Sequence, residues 1–166
     1  MMNNDYIEYL IKRRMTPGGI AARVGSVLLV IVCVMLYSVL NFIAFGMSVV
    51  AAYLVRYTFQ TTDVEFEYTY FSGECRFDKI MAKRKRKSMA VMEMDKVELI
   101  APENDDRLSE YEKKEYQLKK FTSGEEDAKR YTAFMRNDSN LIKIVFEPSE
   151  EIIKSMQAYS PRKVIV

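Results

Sequence analysis

The chain has 166 residues, 49% of them apolar, yet its mean hydropathy is −0.16, so the apolar residues are concentrated in part of the chain. It has no histidine and two cysteines, which removes the commonest general base and metal ligand and excludes a disulfide framework. Residues 1–60 carry five Lys/Arg against two Asp/Glu; residues 61–166 carry 20 against 21, a net −1 that becomes −6 once Lys83–Lys87 are set aside, whereas a general nucleic-acid binder is basic throughout.

The first element is "DYIEYLIKRRM", where Ile7, Leu10, Ile11 and Met15 fall near helical spacing and Lys12, Arg13 and Arg14 follow. This suits a short interfacial helix ending at Thr16-Pro17-Gly18-Gly19, within an N-terminal segment spanning residues 1–19. The alternative is a frayed terminus.

From Val24 to Val55 no residue is charged: "VGSVLLVIVCVMLYSVLNFIAFGMSVVAAYLV". That is too long for the apolar part of a signal peptide, and no small-residue cleavage site follows, so the segment is expected to be retained. As one helix its 32 residues would measure ~48 Å at 1.5 Å each, against a hydrocarbon core of ~30 Å. Two spans near 20–40 and 43–59 fit better, joined at Asn41 with Ser38 and Gly46 nearby, in a hairpin covering residues 20–60. Charge agrees: Lys12, Arg13, Arg14 and Arg23 precede the run, Arg56 and Lys83–Lys87 follow it, and a hairpin keeps both basic flanks on the cytoplasmic side. Arg23 and Arg56 can snorkel, Tyr57 suits the aromatic belt, and Gly46, Ser48, Ala51 and Ala52 would permit close helix approach. Asn41 in the membrane could instead serve a helix contact, but the turn is the preferred reading.

After Phe59 the period becomes two. "DVEFEYTYF" sets Val64, Phe66, Tyr68 and Tyr70 on one face and Glu65, Glu67 and Thr69 on the other, the pattern of a half-buried strand. Ser72-Gly73 is a turn, and "ECRFDKIM" returns with Cys75 and Phe77 against Tyr70 and Tyr68. The same register, which assumes a two-residue turn, sets Glu67 opposite Asp78, an unfavourable pair that leaves the register or the turn length open. "KSMAVMEM" and "KVELIA" are two more strands, ending at Pro102. Residues 103–118 are a highly charged loop or a solvated helix. "KKFTS", "RYTAFMR" and "LIKIVFE" follow as strands, the last two joined at Asn137–Asn140. Pro148 opens a helix whose Ile152, Ile153, Met156 and Tyr159 share a face and which stops before Pro161. The fold class is α+β: a transmembrane helical hairpin, then about seven mostly antiparallel strands and a C-terminal helix over residues 61–166.

Four strands, three strands and a helix resemble the pleckstrin-homology superfold. The segments "EFEYTY", "DKIMAKRKRK", "IAP" at 100–102, "FEP" at 146–148 and "PRKV" at 161–164 are similar to a family of small two-span bacterial membrane proteins of unknown function. The resemblance covers nearly the whole chain, implies a pleckstrin-homology-like soluble domain, and brings no catalytic residue. Fold by itself gives no function.

No Walker or dinucleotide glycine loop is present, Cys75 has no histidine partner, and the carboxylates of "DVEFE" and "ENDD" fit a charged strand face and a loop. No enzyme, cofactor or metal is expected. The run Lys83, Arg84, Lys85, Arg86, Lys87 remains. The first strand leaves the second span for ~27 Å at 3.3 Å per residue and the second returns by as much, which brings this turn back to the membrane. Two readings stay open, contact with anionic headgroups or a solvated hairpin tip; nucleic acid is disfavoured because the run lacks aromatic neighbours for stacking. The expectation is a multi-pass cell-membrane protein with both termini cytoplasmic, presenting a domain for lipid-surface or protein binding. The alternative is a structural subunit assembling through its hairpin with a second copy or a larger membrane complex.

Overall fold

The structure is a computed structural model that describes residues 6–40, 42–138 and 140–166. It divides into two units. A β unit takes the described residues up to Arg13, Glu65–Ile80 and Arg86–Val166, and a helical unit takes Arg14–Val64 and Met81–Lys85.

The β unit holds two four-stranded sheets. The first is ordered β1 (Ile7–Lys12), β2 (Val64–Phe71), β3 (Glu74–Met81), β4 (Lys85–Glu93). The expected N-terminal helix is therefore a strand, and the described residues hold eight strands where about seven were expected. The physical reason is that Ile7 and Ile11, both buried, lie four residues apart, a separation that periods of 3.6 and 2 both place on one face. The partner decides between them: β1 pairs antiparallel with β2 from Ile7↔Tyr70 to Lys12↔Glu65. Within residues 1–19, Ile7–Lys12 thus belong to the first sheet and do not form the interfacial helix expected there. The helices are an insertion between two hydrogen-bonded neighbours of that sheet.

The β2–β3 turn follows the expected two-residue form. Ser72 and Gly73 both have positive φ, 48° and 83°, which matches the twist of the flanking strands. Gly73 is also sterically required, since a Cβ there would fall 2.5 Å from the Tyr159 ring. In this register Phe77 reaches Tyr68, with ring centroids 5.3 Å apart.

The second sheet is ordered β5 (Val97–Pro102), β7 (Tyr131–Asn137), β8 (Asn140–Phe146), β6 (Tyr116–Phe121). β7 and β8 form the expected antiparallel hairpin, whereas β6 runs parallel to β8 from Tyr116↔Leu141 to Phe121↔Phe146. Of residues 103–118, expected as a loop or a solvated helix, 103–115 form a loop that holds short helical turns, whereas Tyr116–Leu118 already belong to β6. A 3-10 turn at Asp106–Leu108 leads into one helical turn, α3 (Ser109–Glu112), and β6 then begins.

Aromatic side chains from both sheets make the core. Phe77 stacks on Phe121 at 4.7 Å and meets Phe146 edge-on at 5.5 Å. The C-terminal helix, α4 (Glu150–Tyr159), buries Ile152, Ile153 and Met156 as its spacing predicts. Ser149 caps it, accepting from the Ile152 N–H at 3.3 Å, a contact that satisfies one of the first-turn donors. Cys33 and Cys75 are free and buried.

In the helical unit, α1 (Pro17–Leu40) and α2 (Phe42–Thr62) exceed the expected spans at their outer ends. The turn expected at Asn41 lies outside the described residues.

Candidate functional site

Both helices are long and apolar enough to cross a membrane. Among their described residues only Ser26, Cys33, Ala44 and Ala51 are buried. Small side chains line the seam between them, which lets the backbones approach. Of the four small residues expected there only Ala51 is buried; a Cβ on Gly46 would meet nothing within 4 Å, and Ala52 is exposed. Polar contacts close the seam toward Pro17 and Thr62. Ser26 Oγ lies 3.2 Å from Thr58 Oγ1, and Arg23 Nε donates to Thr62 Oγ1 at 2.6 Å with its guanidinium 4.5 Å from the Phe59 ring centre. Of the other expected anchors, Arg13, Arg14, Arg56 and Tyr57 are exposed, whereas Lys12 sits in β1 opposite Glu65.

The basic run occupies the β3–β4 connection. The Arg84 N–H donates to the Met81 carbonyl at 3.1 Å, with Ala82 and Lys83 at φ 50° and 55°. Lys83 and Arg84 form the tip, and Lys85, Arg86 and Lys87 begin β4. The Ala82 N–H donates to the carbonyl of Asp63 at 2.8 Å. Asp63 immediately follows α2, so this bond ties the basic turn to the Thr62 end of the helical hairpin.

All five cations are exposed, but Arg86 has a partner that sequence reasoning missed. Its Nη2 lies 2.7 Å from Glu67 Oε1 and 2.6 Å from Oε2. Glu67, expected on a solvated face, has only 9% of its side chain exposed. Burial pushes its carboxyl above the usual range, Arg86 opposes that, and Glu8 and Asp78 add to it. Removing Arg86 leaves a buried carboxylate without its cation, so Arg86→Ala is expected to cost ~1–2 kcal/mol at pH 7, the lower part of the range for an orphaned charge because Arg86 is half exposed. A carboxyl with a raised folded-state pKa keeps its proton in the native state while the unfolded chain has lost it. The contribution of Glu67 to stability is therefore fully present below about 4.5, the ordinary value, and is lost as pH rises through the native pKa. Chemical unfolding should show the Arg86→Ala loss shrinking toward pH 4.5 and largely cancelled by adding Glu67→Gln.

Compared with known families, residues 3–166 match the sequence model for the bacterial PH-like domain family DUF6106. The chain belongs to that family. The match includes α1 and α2 as well as both sheets, as the insertion between β1 and β2 requires. Neither the curated proteins nor the solved structures contain a match. In this member of the PH-like family the segments noted in the sequence have structural work. "IAP" and "PRKV" meet: the Ile100 N–H donates to Lys163 O at 2.7 Å, the Ile165 N–H donates to Ile100 O at 2.8 Å, and Lys163 Nζ donates to the carbonyls of Met94 and Asp95 at 3.1 and 2.9 Å. "FEP" supplies the buried Glu147, whose Oε2 accepts from the Ser123 N–H at 2.9 Å and whose Oε1 lies 3.5 Å from Arg130 Nε. The Glu147 N–H donates to Tyr68 Oη at 3.2 Å, and that hydroxyl donates to the Phe121 carbonyl. Through Tyr68 these bonds join β2 of the first sheet to β6 and the end of β8 in the second. Cys75 is likewise enclosed, and burial pushes its thiol up, away from a reactive thiolate.

Proposed function

We propose that this PH-like protein is a non-catalytic membrane-anchored binding module. Its helical hairpin spans the bilayer with both chain ends cytoplasmic, and Lys83, Arg84, Lys85 and Lys87 rest against anionic headgroups. The observation that carries this reading is the Ala82–Asp63 hydrogen bond, which holds the basic turn at the end of α2. Cations near an anionic leaflet contribute ~1 kcal/mol each and fade within a Debye length. With Arg86 engaged by Glu67, the remaining four supply ~4 kcal/mol at low salt on that scale.

A spin label at Arg84→Cys, with the full chain in nanodiscs, tests the contact. In discs containing phosphatidylglycerol the label should be shielded from a water-soluble relaxant, and shielding should fall with added salt and in pure phosphatidylcholine. Equal accessibility in both lipids would leave the turn as a solvated tip. Reporter fusions at each terminus test the topology, and an external N-terminus would refute it.

A second reading, assembly through the hairpin, is favoured by Gly25 and Gly46, where a Cβ would meet nothing within 4 Å, as positions for a further helix require. Crosslinked dimers in native membranes that disappear with Gly25→Leu and Gly46→Leu would support it.

A further inference from the structure

The outward face of the first sheet carries an open cavity of about 440 Å³, lined by Tyr6, Thr69, Phe71, Glu74, Arg76, Asp78 and Arg86. Tyr6 and the strands β2, β3 and β4 all contribute to it, so no single stretch of sequence reveals it. Its charges are unevenly matched. Arg76 is held by Glu74 at 2.6 Å and Arg86 by Glu67 at 2.7 Å. Asp78 Oδ1 is buried, and no donor among the described residues reaches it. Such an atom in a native fold calls for a partner. Beside it two aromatic rings are open to solvent: Tyr6 is 60% exposed and Phe71 46%, with centroids 6.5 Å apart. Exposed rings next to a carboxylate oxygen that lacks a hydrogen-bond donor, with Arg76 acting on it only through its charge, fit a cation with an apolar body.

We propose that this cavity binds an organic ammonium group, with Asp78 as its counter-ion and the Phe71 and Tyr6 rings against its carbon skeleton. A metal ion suits the site poorly, because hard cations take six or more oxygen ligands and no group of three acidic side chains gathers for one among the described residues. An anion suits it poorly too, because both arginines already hold a carboxylate. The ammonium can come from a free amine or from a lysine side chain of another protein.

Isothermal titration of the full chain in phosphatidylcholine nanodiscs, with empty-disc heats subtracted, tests this. Phenethylammonium is the first probe and 2-phenylethanol its uncharged counterpart. Saturable binding of the ammonium is expected, with affinity at least tenfold lower for Asp78→Asn, at least threefold lower for Phe71→Ala, and no saturable binding of the alcohol. Both variants should melt as the parent does, because one is isosteric and the other lies on the surface. Equal affinity for Asp78→Asn, or equal affinity for the alcohol, overturns the proposal. Acetyl-Phe-Lys-amide distinguishes the sources: tighter binding than phenethylammonium supports a protein lysine, and weaker binding supports a free amine. In either case insensitivity to Asp78→Asn overturns the site.

Discussion

A chain in which Asn-Gly replaces Arg14–Asp63 is expected to fold in water without detergent. The reason is the register of β1 on β2. Lys12 pairs with Glu65, so extending the ladder by one step sets Arg13 against Val64, and a two-residue turn can close it. Asn-Gly supplies the positive φ values that such a turn needs. What is removed carries twenty-one exposed large apolar side chains among its described residues, from Ile20 to Phe59. At ~1.5–3 kcal/mol for each such side chain fully withdrawn from water, the helices favour an apolar medium by tens of kcal/mol. What remains keeps both sheets, the aromatic core and α4. The parent should require detergent for extraction. The shortened chain should stay in the soluble fraction, show a β-type circular dichroism spectrum and melt cooperatively. An aggregated or unfolded product would mean that the β unit depends on the helices, and that β1 does not hold its register without them. Ala82 loses its Asp63 acceptor in this chain, but its N–H sits in an exposed turn where water replaces the carbonyl at small cost.

How much of this was legible in the sequence depended on the range of the interaction concerned. The helices were legible because an unbroken apolar run needs no partner to be recognised. Their seam was not, because small residues occur all around α2 and nothing local says which of them faces α1; Ala44 and Ala51 do, Gly46 and Ala52 do not. The β2–β3 pair and its turn were legible, because Ser72-Gly73 sits between two alternating runs, but the Glu67–Asp78 pair left the register open. β1 was missed because its partner lies across the whole insertion, and because Ile7 and Ile11 satisfy two periods at once. The parallel pairing of β6 with β8 was equally invisible, since no short turn marks it. At the site, the basic run was placed at the membrane from strand lengths alone; the structure bonds its turn to Asp63, next to the end of α2. The role of Arg86 was hidden for the same reason as β1. Glu67 opposite Asp78 looked like a defect of register, and the cation that answers it arrives from a strand beyond.

The largest single-residue loss of stability is expected at Phe77. Its side chain is fully buried and touches rings from both sheets: Tyr68 on β2, Phe121 on β6 and Phe146 on β8. Truncation to alanine removes an offset stack and two edge-on contacts, and opens a cavity between layers that hydrogen bonds hold at a fixed spacing. Tyr68 Oη bonded to Phe121 O and to the Glu147 N–H is one such restraint; it prevents the sheets from collapsing into the void. Phe→Ala at such sites costs ~3–5 kcal/mol, a third or more of the stability of many domains of this size. Phe71, the last residue of β2 and nearly half exposed, is the internal control. Phe71→Ala should shift stability by no more than ~0.5 kcal/mol, as surface changes usually do. Denaturant unfolding of the shortened, water-soluble chain separates the two. If Phe77→Ala and Phe71→Ala lose equal stability, the sheet faces are assigned wrongly, and with them the cavity around Asp78. If Phe77→Ala alone collapses the transition while Phe71→Ala leaves it in place, the inner and outer faces stand as described and the outer one is free to bind.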